Sequence, residues 1–386
     1  MNQKELNELR RRMAPNKNSI SKLYGCYVNG NKEIISYLDK SLGLMPDLEL
    51  EQYMGLLKKS LSGGLGRNLL DLVFSTQQVQ DSEEHRLLTS LRGSALKDAG
   101  ARELFYQKVI QSLELDGSNY LILLACDAYD VPHRGKDDEV QDDASDTVFT
   151  YIICAICPVR DGKPELGYFS GENEFHGYAT NQIVAPPELG FLFPAFDDRA
   201  ANIYNALFYS RNAAQIHQEF IDAVFHTEAP MSADEQKETF QSVLTDALED
   251  SCSYDVIQAV HEQIRERMEQ HKESKDPDPL DITAREVGEI LQSSGVPEEQ
   301  IQVFQEKCAE EFGAGAALNP RNIIESGKFE LVTAQVKISV NPEYSYLVET
   351  KIIDGRPYIL IPAEEGVEVN GVHIKIEKGE KEAAMQ

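Results

Sequence analysis

Apolar residues recur along this chain at two different spacings. Helical spacing predicts amphipathic helices in the first third of the chain and again in its middle. These helices begin after Pro46, near residue 82 and near residue 101, and several more follow between residues 232 and 312. From Lys328 the spacing changes to two, which is typical of strands. The predicted C-terminal strands cover residues 329–340, 346–353, 357–361 and 372–376, with turns at Asp354-Gly355 and Asn370-Gly371.

The first half of the chain also contains apolar runs without a helical period. Residues 119–129 are apolar on both faces, which predicts a central strand, and residues 147–159 predict its antiparallel neighbour. Asn29-Gly30 between two apolar runs predicts a hairpin with a type I′ turn. Together these patterns predict an α+β protein whose mixed α/β first domain has a largely antiparallel sheet. The expected parts are an α/β domain over 1–228, a helical segment over 232–312 and a small C-terminal antiparallel sheet over 320–378.

The most unusual stretch of the chain lies between Phe191 and Asn212. Its pattern predicts a helix from Asp198 to about Phe225, capped by Asp197 or Asp198. Asparagine is a poor helix former, so three asparagines on one helix need a reason. Two explanations stay open: a buried hydrogen-bond network, or a binding surface of amide and guanidinium donors. The candidate binding residues are Asp197, Asp198, Arg199, Asn202, Asn205, Tyr209, Arg211 and Asn212.

The composition is strongly acidic. With 37 basic and 65 acidic residues among 386, the formal net charge is −28. Such a charge excludes a protein that coats nucleic acid through general basicity, because phosphate contacts require clustered Lys and Arg. No apolar run approaches the roughly 20 residues that cross a bilayer, so no membrane partner is expected. The start of the chain lacks an apolar segment, and a cytoplasmic protein is therefore expected.

The start of the chain carries the opposite charge. Residues 1–22 contain six basic and two acidic side chains, a net charge of +4. Such a segment can bind the acidic surface of its own chain or reach an acidic partner such as nucleic acid. The intramolecular alternative is favoured because the segment is tethered beside that surface.

No motif predicts a metal, a cofactor or a catalytic centre. Cys154 and Cys157 form a Cys-x-x-Cys pair, but on a strand their side chains point to opposite faces. Their Cα atoms would lie about 10 Å apart, which is too far for a disulfide. The glycine-rich turn 63–66 lacks the Lys and Ser or Thr of a P-loop, and the acidic loop 137–146 does not match an EF-hand. Reduced core thiols, a flexible turn and a solvated loop are expected instead.

Two stretches of the chain resemble a bacterial family known only as a domain of unknown function, number 4317. They are Leu6-Asn-Glu-Leu-Arg-Arg-Arg-Met-Ala-Pro-Asn-Lys-Asn-Ser-Ile20 with Tyr24-Gly-Cys-Tyr-Val28, and Gly190-Phe-Leu-Phe-Pro-Ala-Phe-Asp-Asp-Arg199. The resemblance covers essentially the whole chain. It implies no activity, because the family has none assigned.

The order of the parts also resembles bacterial nucleoid-associated proteins of the NdpA type. Those proteins have an α/β first half, a helical middle and a short C-terminal β segment, which residues 336–340, 347–353 and 372–376 resemble in pattern. The resemblance implies association with DNA or with its bound proteins. The net charge of −28 opposes that function.

These observations favour an interaction or regulatory protein over an enzyme. Its expected partner is another protein or a second copy of the chain, whereas nucleic acid is disfavoured by charge. A nucleoid-associated protein is one alternative. The other is an enzyme with a polar cleft around Asp197, Asp198, Arg199 and Asn202, which convergence of those side chains in a pocket would favour.

Overall fold

A computed structural model describes residues 1–115, 117–134, 140–141, 147–163, 165–178, 182–276, 278–363 and 366–374. The chain forms two compact units. Unit 1 comprises Met1–Glu238 with Ser274–Asp281, and unit 2 comprises Thr239–Glu273 and the chain from Ile282 onward. The predicted division into 1–228, 232–312 and 320–378 stays a prediction. Most of the acidic loop 137–146 lies outside the described residues.

The helices predicted after Pro46, near residue 82, near residue 101 and between residues 232 and 312 are present. The described helices are α1 (Gln3–Arg12), α2 (Asp47–Lys59), α3 (Thr76–Asp81), α4 (Glu83–Gly93), α5 (Ala99–Ser112), α6 (Gln218–Val224), α7 (Ala233–Leu248), α8 (Tyr254–Ser274), α9 (Ala284–Ser293), α10 (Glu298–Phe312) and α11 (Pro320–Ile323). Side chains cap several starts: Ser82 accepts from the third N–H of α4, and Thr283 forms a capping box with Glu286 in α9.

The strands of the first half are β1 (Lys22–Val28), β2 (Ile34–Ser41), β3 (Leu69–Val73), β4 (Asn119–Val131), β5 (His133–Arg134), β6 (Val140–Gln141), β7 (Thr147–Arg160), β8 (Glu165–Phe169), β9 (Glu174–Tyr178), β10 (Ile183–Val184), β11 (Leu189–Phe193), β12 (Ala195–Asp197), β13 (Ala200–Asn202) and β14 (Asn205–Ser210). Those of the second half are β15 (Ile282–Thr283), β16 (Ala317–Leu318), β17 (Phe329–Val332), β18 (Lys337–Val340), β19 (Glu349–Ile353), β20 (Arg356–Leu360), β21 (Val367–Val369) and β22 (Val372–Ile374). With a large antiparallel sheet beside many helices, the α+β class is confirmed.

An eight-stranded antiparallel sheet forms the centre of unit 1. Its strand order is β2-β1-β4-β7-β11-β14-β3, and β10 also pairs with β7. β4 and β7 pair from Asn119 opposite Val159 to Val131 opposite Thr147, which confirms the predicted antiparallel neighbours. The predicted hairpin at Asn29 is also confirmed as β1–β2. Its turn is not the predicted type I′, because five residues connect the strands and the positive φ belongs to Lys32.

Helices cover both faces of this sheet. One core contains side chains of α4, α5 and α6, and the other contains side chains of α1 and α2. Cys154 belongs to the first core and Cys157 to the second, which confirms that the pair points to opposite faces of β7. The apolar run of each central strand therefore fills two cores at once.

Unit 2 combines a helical core with hairpins. The described core residues come mainly from the last turns of α7 and from α8, α9 and α10, with Phe240, Ile264 and Phe304 fully buried. The C-terminal β region consists of three two-stranded sheets, β17–β18, β19–β20 and β21–β22, where one small sheet is predicted. Residues 329–340 form a hairpin and not one strand. The turns at Asp354-Gly355 and Asn370-Gly371 have positive φ at both residues, as predicted for type I′.

The predicted helix from Asp198 to Phe225 is wrong. Asp198 and Arg199 have φ values of 48° and 58° and form a tight turn between β12 and β13, so neither they nor Asp197 caps a helix. Residues 205–210 then form a central strand, and only Gln218–Val224 are helical. A strand buried on both faces shows no period of two, so its apolar run cannot be told from a helix by spacing.

Candidate functional site

The structure distributes the predicted binding residues over a hairpin and a neighbouring strand. Asp197 ends β12, Asp198 and Arg199 form the turn, Asn202 ends β13, Asn205 and Tyr209 lie on β14, and Arg211 and Asn212 follow that strand. These residues therefore do not share a helix face, and their side chains have separate partners.

Asn202 binds both Asp197 and Asn205. The Asn202 side-chain amide donates to Oδ2 of Asp197 and to Oδ1 of Asn205, both at 3.2 Å. The amino group of Met1 lies 3.0 Å from Oδ1 of Asp197. The hydrogen bond from that amino group is the main cause that lowers the pKa of Asp197, which burial partly offsets. These three side chains therefore form an internal hydrogen-bond network.

Arg199 binds the first helix. Its Nη1 lies 2.9 Å from Oε2 of Glu8, and its Nη2 donates to the carbonyl of Pro132 at 3.1 Å. Its backbone N–H donates to Oε1 of Glu5 at 3.0 Å. Both charged side chains of the Arg199–Glu8 pair are less than one third exposed. The turn at Arg199 therefore holds α1 in place.

The remaining predicted residues lie apart from this network. The Tyr209 hydroxyl is buried in the second core and accepts a hydrogen bond from Ser62 at 3.3 Å. Arg211 is exposed, with Nη1 3.8 Å from Oε2 of Glu188. The side-chain oxygen of Asn212 accepts from the backbone of Ala214 at 3.2 Å. The eight residues do not converge on one cleft.

A second polar cluster, absent from the predicted set, surrounds Asp127. This carboxylate is fully buried on β4 and lies 2.9 Å from the guanidinium of Arg12. It also accepts from the backbone N–H of Ser19 at 2.7 Å and from the hydroxyl of Tyr151 at 2.9 Å. The Arg12 guanidinium stacks 4.1 Å above the ring centre of Tyr129. A lone carboxylate within the apolar run 119–129 is the sequence signal for such a paired buried charge.

The basic start of the chain is used within unit 1. Arg10 donates to the carbonyls of Leu61 and Gly63 at 2.7 Å and 2.8 Å, so it binds the glycine-rich turn. The backbone N–H of Gly66 donates to Leu69, which satisfies it within the same turn. With Arg12 on Asp127, two of the six basic side chains hold α1 to its own chain.

An apolar groove lies in unit 2, between two C-terminal hairpins. This hairpin groove has a volume of about 730 Å³. Its lining residues are Thr333, Val336, Ile338, Thr350, Lys351, Ile352, Pro357, Tyr358 and Ile359. Ile352 is 78% exposed and Val336 is 53% exposed. All five residues of β19 are exposed, and in the described structure this strand pairs only with β20.

The two edges of the β19–β20 hairpin differ. Ile353 and Arg356 flank the two-residue turn, so this pair exchanges backbone hydrogen bonds between the two strands. Antiparallel pairs alternate, so Thr350 and Ile352 of β19 direct their backbone N–H and C=O groups away from the hairpin. On β20 the outward position opposite Ile352 is Pro357, which has no N–H. The open edge of the hairpin is therefore β19, and it lines the hairpin groove.

A family model described as a domain of unknown function, DUF4317, matches residues 1–372. The chain belongs to the DUF4317 family. No curated protein matches it significantly. The family is one of unknown function and assigns this member no activity.

Within the described residues, no group of three or more His, Cys, Asp or Glu side chains could hold a metal ion. Burial raises the pKa of the thiols of Cys26, Cys157 and Cys308 to about 12 and that of Cys126 to about 11. All six cysteines are free. No helix in the described ranges is both long enough and apolar enough to cross a bilayer.

Proposed function

We propose that this protein is a non-catalytic interaction protein that binds a protein partner in the hairpin groove. One observation carries the proposal: an exposed apolar groove is lined by a strand whose outer edge pairs with nothing in the described structure. Such an edge binds an extended segment through main-chain hydrogen bonds, while pockets beside it select apolar side chains.

The fate of the predicted cleft residues supports this proposal over an enzyme. Asp197 is bound by Asn202, and Arg199 is bound by Glu8 and by a backbone carbonyl. Catalytic groups must lie within reach of one reacting atom, and the eight candidate residues do not share one cleft.

The contacts of the basic start support the proposal over a nucleoid-associated function. Phosphate binding needs Lys and Arg that are free to reach the nucleic acid. Arg10 binds the glycine-rich turn, and Arg12 binds Asp127. Lys22 pairs with Asp39 at 2.6 Å. Three of the six basic side chains of residues 1–22 are thus bound by their own chain.

Site-specific crosslinking tests the proposal. A photoreactive phenylalanine analogue in place of Tyr358, which lines the groove and is 44% exposed, is irradiated in native extract. The same analogue in place of Tyr168, 52% exposed on a unit 1 hairpin, is the matched control. We expect discrete protein adducts from position 358 only, resistant to nuclease and lost when Ile352→Lys places a charge in the groove. Equal labelling from both positions, or none from 358, would refute the proposal.

A further inference from the structure

The open edge of β19 has a sequence that complements itself. In a continuous sheet built from two copies about a two-fold axis, opposed residues must point to the same face. The axis must therefore pass between the two copies of one residue, which face each other across the interface. The central residues of β19 that can take this place are Thr350, Lys351 and Ile352.

Charge selects one of these three registers. With Lys351 on the axis, two ammonium groups would face each other, which is unfavourable. With Ile352 on the axis, Lys351 would face Ile353 and Thr350 would reach the turn at Asp354. With Thr350 on the axis, Glu349 of each copy faces Lys351 of the other, and threonine faces threonine. Within one chain Glu349 and Lys351 already pair, so the register joins two such pairs into a square of alternating charge.

The net charge of the surroundings also favours this face. Residues 328–363 contain four basic and four acidic side chains, whereas the whole chain carries −28. Two copies of so acidic a protein repel each other least where the local charge is zero. The Thr350 register also limits the assembly to two copies. Pro357 interrupts the outer edge of β20 in each copy and prevents further strands from adding.

We infer that the partner of the hairpin groove is a second copy of this chain, bound through antiparallel pairing of the two β19 strands with Thr350 on the two-fold axis. The inference rests on the proposed function. The product is a closed dimer with a four-stranded sheet in the order β20-β19-β19-β20. Ile352 of each copy then lies opposite Val348 of the other, just before the start of β19.

Charge exchange in the full-length purified protein tests this register. Lys351→Glu makes both cross-strand pairs acidic, and Glu349→Lys makes both basic, so sedimentation velocity should show at least tenfold weaker self-association for each. An equimolar mixture of the two variants restores both opposite-charge pairs and should form a heterodimer as readily as the natural chain forms its dimer. Association of the natural chain that both substitutions leave unchanged would overturn the inference.

An engineered cysteine gives a readout that does not depend on affinity. Residues facing each other in a hydrogen-bonded antiparallel pair have Cα atoms about 5.5 Å apart. Thr350→Cys should therefore form an intermolecular disulfide under mild oxidation, since disulfides need Cα atoms within about 7 Å. Ile353→Cys, exposed on the same strand but away from the axis, is the control and should stay monomeric on a non-reducing gel.

The outcomes separate the two claims. If the natural chain is monomeric at every concentration while position 358 crosslinks to a different protein, the second-copy inference fails and the proposed function stands. If the chain is monomeric and position 358 yields no adduct, both fail. A dimer that Thr350→Cys does not trap also overturns the inference, because its contact would lie elsewhere.

Discussion

At the scale of single residues, unit 1 is organised by a few buried polar groups. Asp127 is enclosed by donors from the first helix, from the following segment and from β7. A buried ion pair contributes little by itself, because desolvation offsets most of the attraction. Breaking it is costly, since one charge is then left buried without its partner.

Replacing Asp127 shows this asymmetry. Asp127→Ala leaves the Arg12 guanidinium and the hydroxyl of Tyr151 without their buried partner, so the free energy of unfolding should fall by about 3–5 kcal/mol. Tyr151→Phe removes one hydrogen bond and should cost about 1–3 kcal/mol. Urea denaturation followed by circular dichroism measures both. Arg11→Ala, an exposed neighbour on the same helix, is the control and should change stability by less than about 0.5 kcal/mol.

His217 makes the stability of unit 1 depend on pH. Burial lowers the pKa of its imidazole, an effect that Glu188 and Glu219 partly oppose, and its Nε2 is buried without a hydrogen-bond partner in the described structure. Because the unfolded chain holds a proton more readily, stability falls as the pH drops through the ordinary histidine pKa of about 6.5 toward the lower folded value. The residue has a φ of 55°, which asparagine tolerates.

Thermal melts between about pH 7.5 and pH 5 should therefore separate the natural chain from His217→Asn. The melting temperatures should lie close together at the upper pH. On acidification the variant should lose less, because it has no buried imidazole to protonate. Parallel curves over the whole range would show that His217 does not contribute to the acid sensitivity.

At the scale of elements, spacing predicts most of the molecule. The helices near 82 and 101, the β4–β7 pair and the turn at Asp354-Gly355 follow from local period and turn chemistry. The predicted helix after Asp198 is wrong because β14 is buried on both faces and its run carries no period. The arrangement of the candidate binding residues could not be predicted for the same reason. Arg199 and Asn202 share a face only if their segment is helical.

Replacing Arg199 tests the role of the turn between β12 and β13, which stands where that helix was predicted. Arg199→Ala removes a partner of Glu8, whose carboxylate is 18% exposed, and frees the carbonyl of Pro132. The cost should be about 1–3 kcal/mol in a thermal or urea melt. Arg211→Ala is the matched control, because that guanidinium is 46% exposed and 3.8 Å from its carboxylate. Its effect should stay below about 0.5 kcal/mol.

At the scale of the whole molecule, each of the two units has its own hydrophobic core. The two cores of unit 1 flank the central sheet, and the core of unit 2 is built around helices. Separate cores allow separate cooperative unfolding, since a domain unfolds as the unit whose apolar side chains pack together.

Differential scanning calorimetry of the full chain should resolve these units. Phe304→Ala opens a cavity in unit 2 and Phe191→Ala opens one in unit 1, and each should destabilise its own unit by about 3–5 kcal/mol. Each variant should lower one calorimetric transition and leave the other in place. A single transition lowered by both variants would show that the chain unfolds as one cooperative body.

The strand order of the central sheet also governs how the chain can fold while it is being translated. β3 is synthesised early, yet among the described strands it pairs in the sheet only with β14, which ends at Ser210. At roughly 5–20 residues per second, the ribosome leaves β3 unpaired for on the order of ten seconds. Its apolar Leu69, Leu70 and Leu72 are exposed for that time, as is the face of α1 that awaits Arg199. The nascent chain therefore carries exposed apolar side chains near its start until β14 and the Arg199 turn have been synthesised.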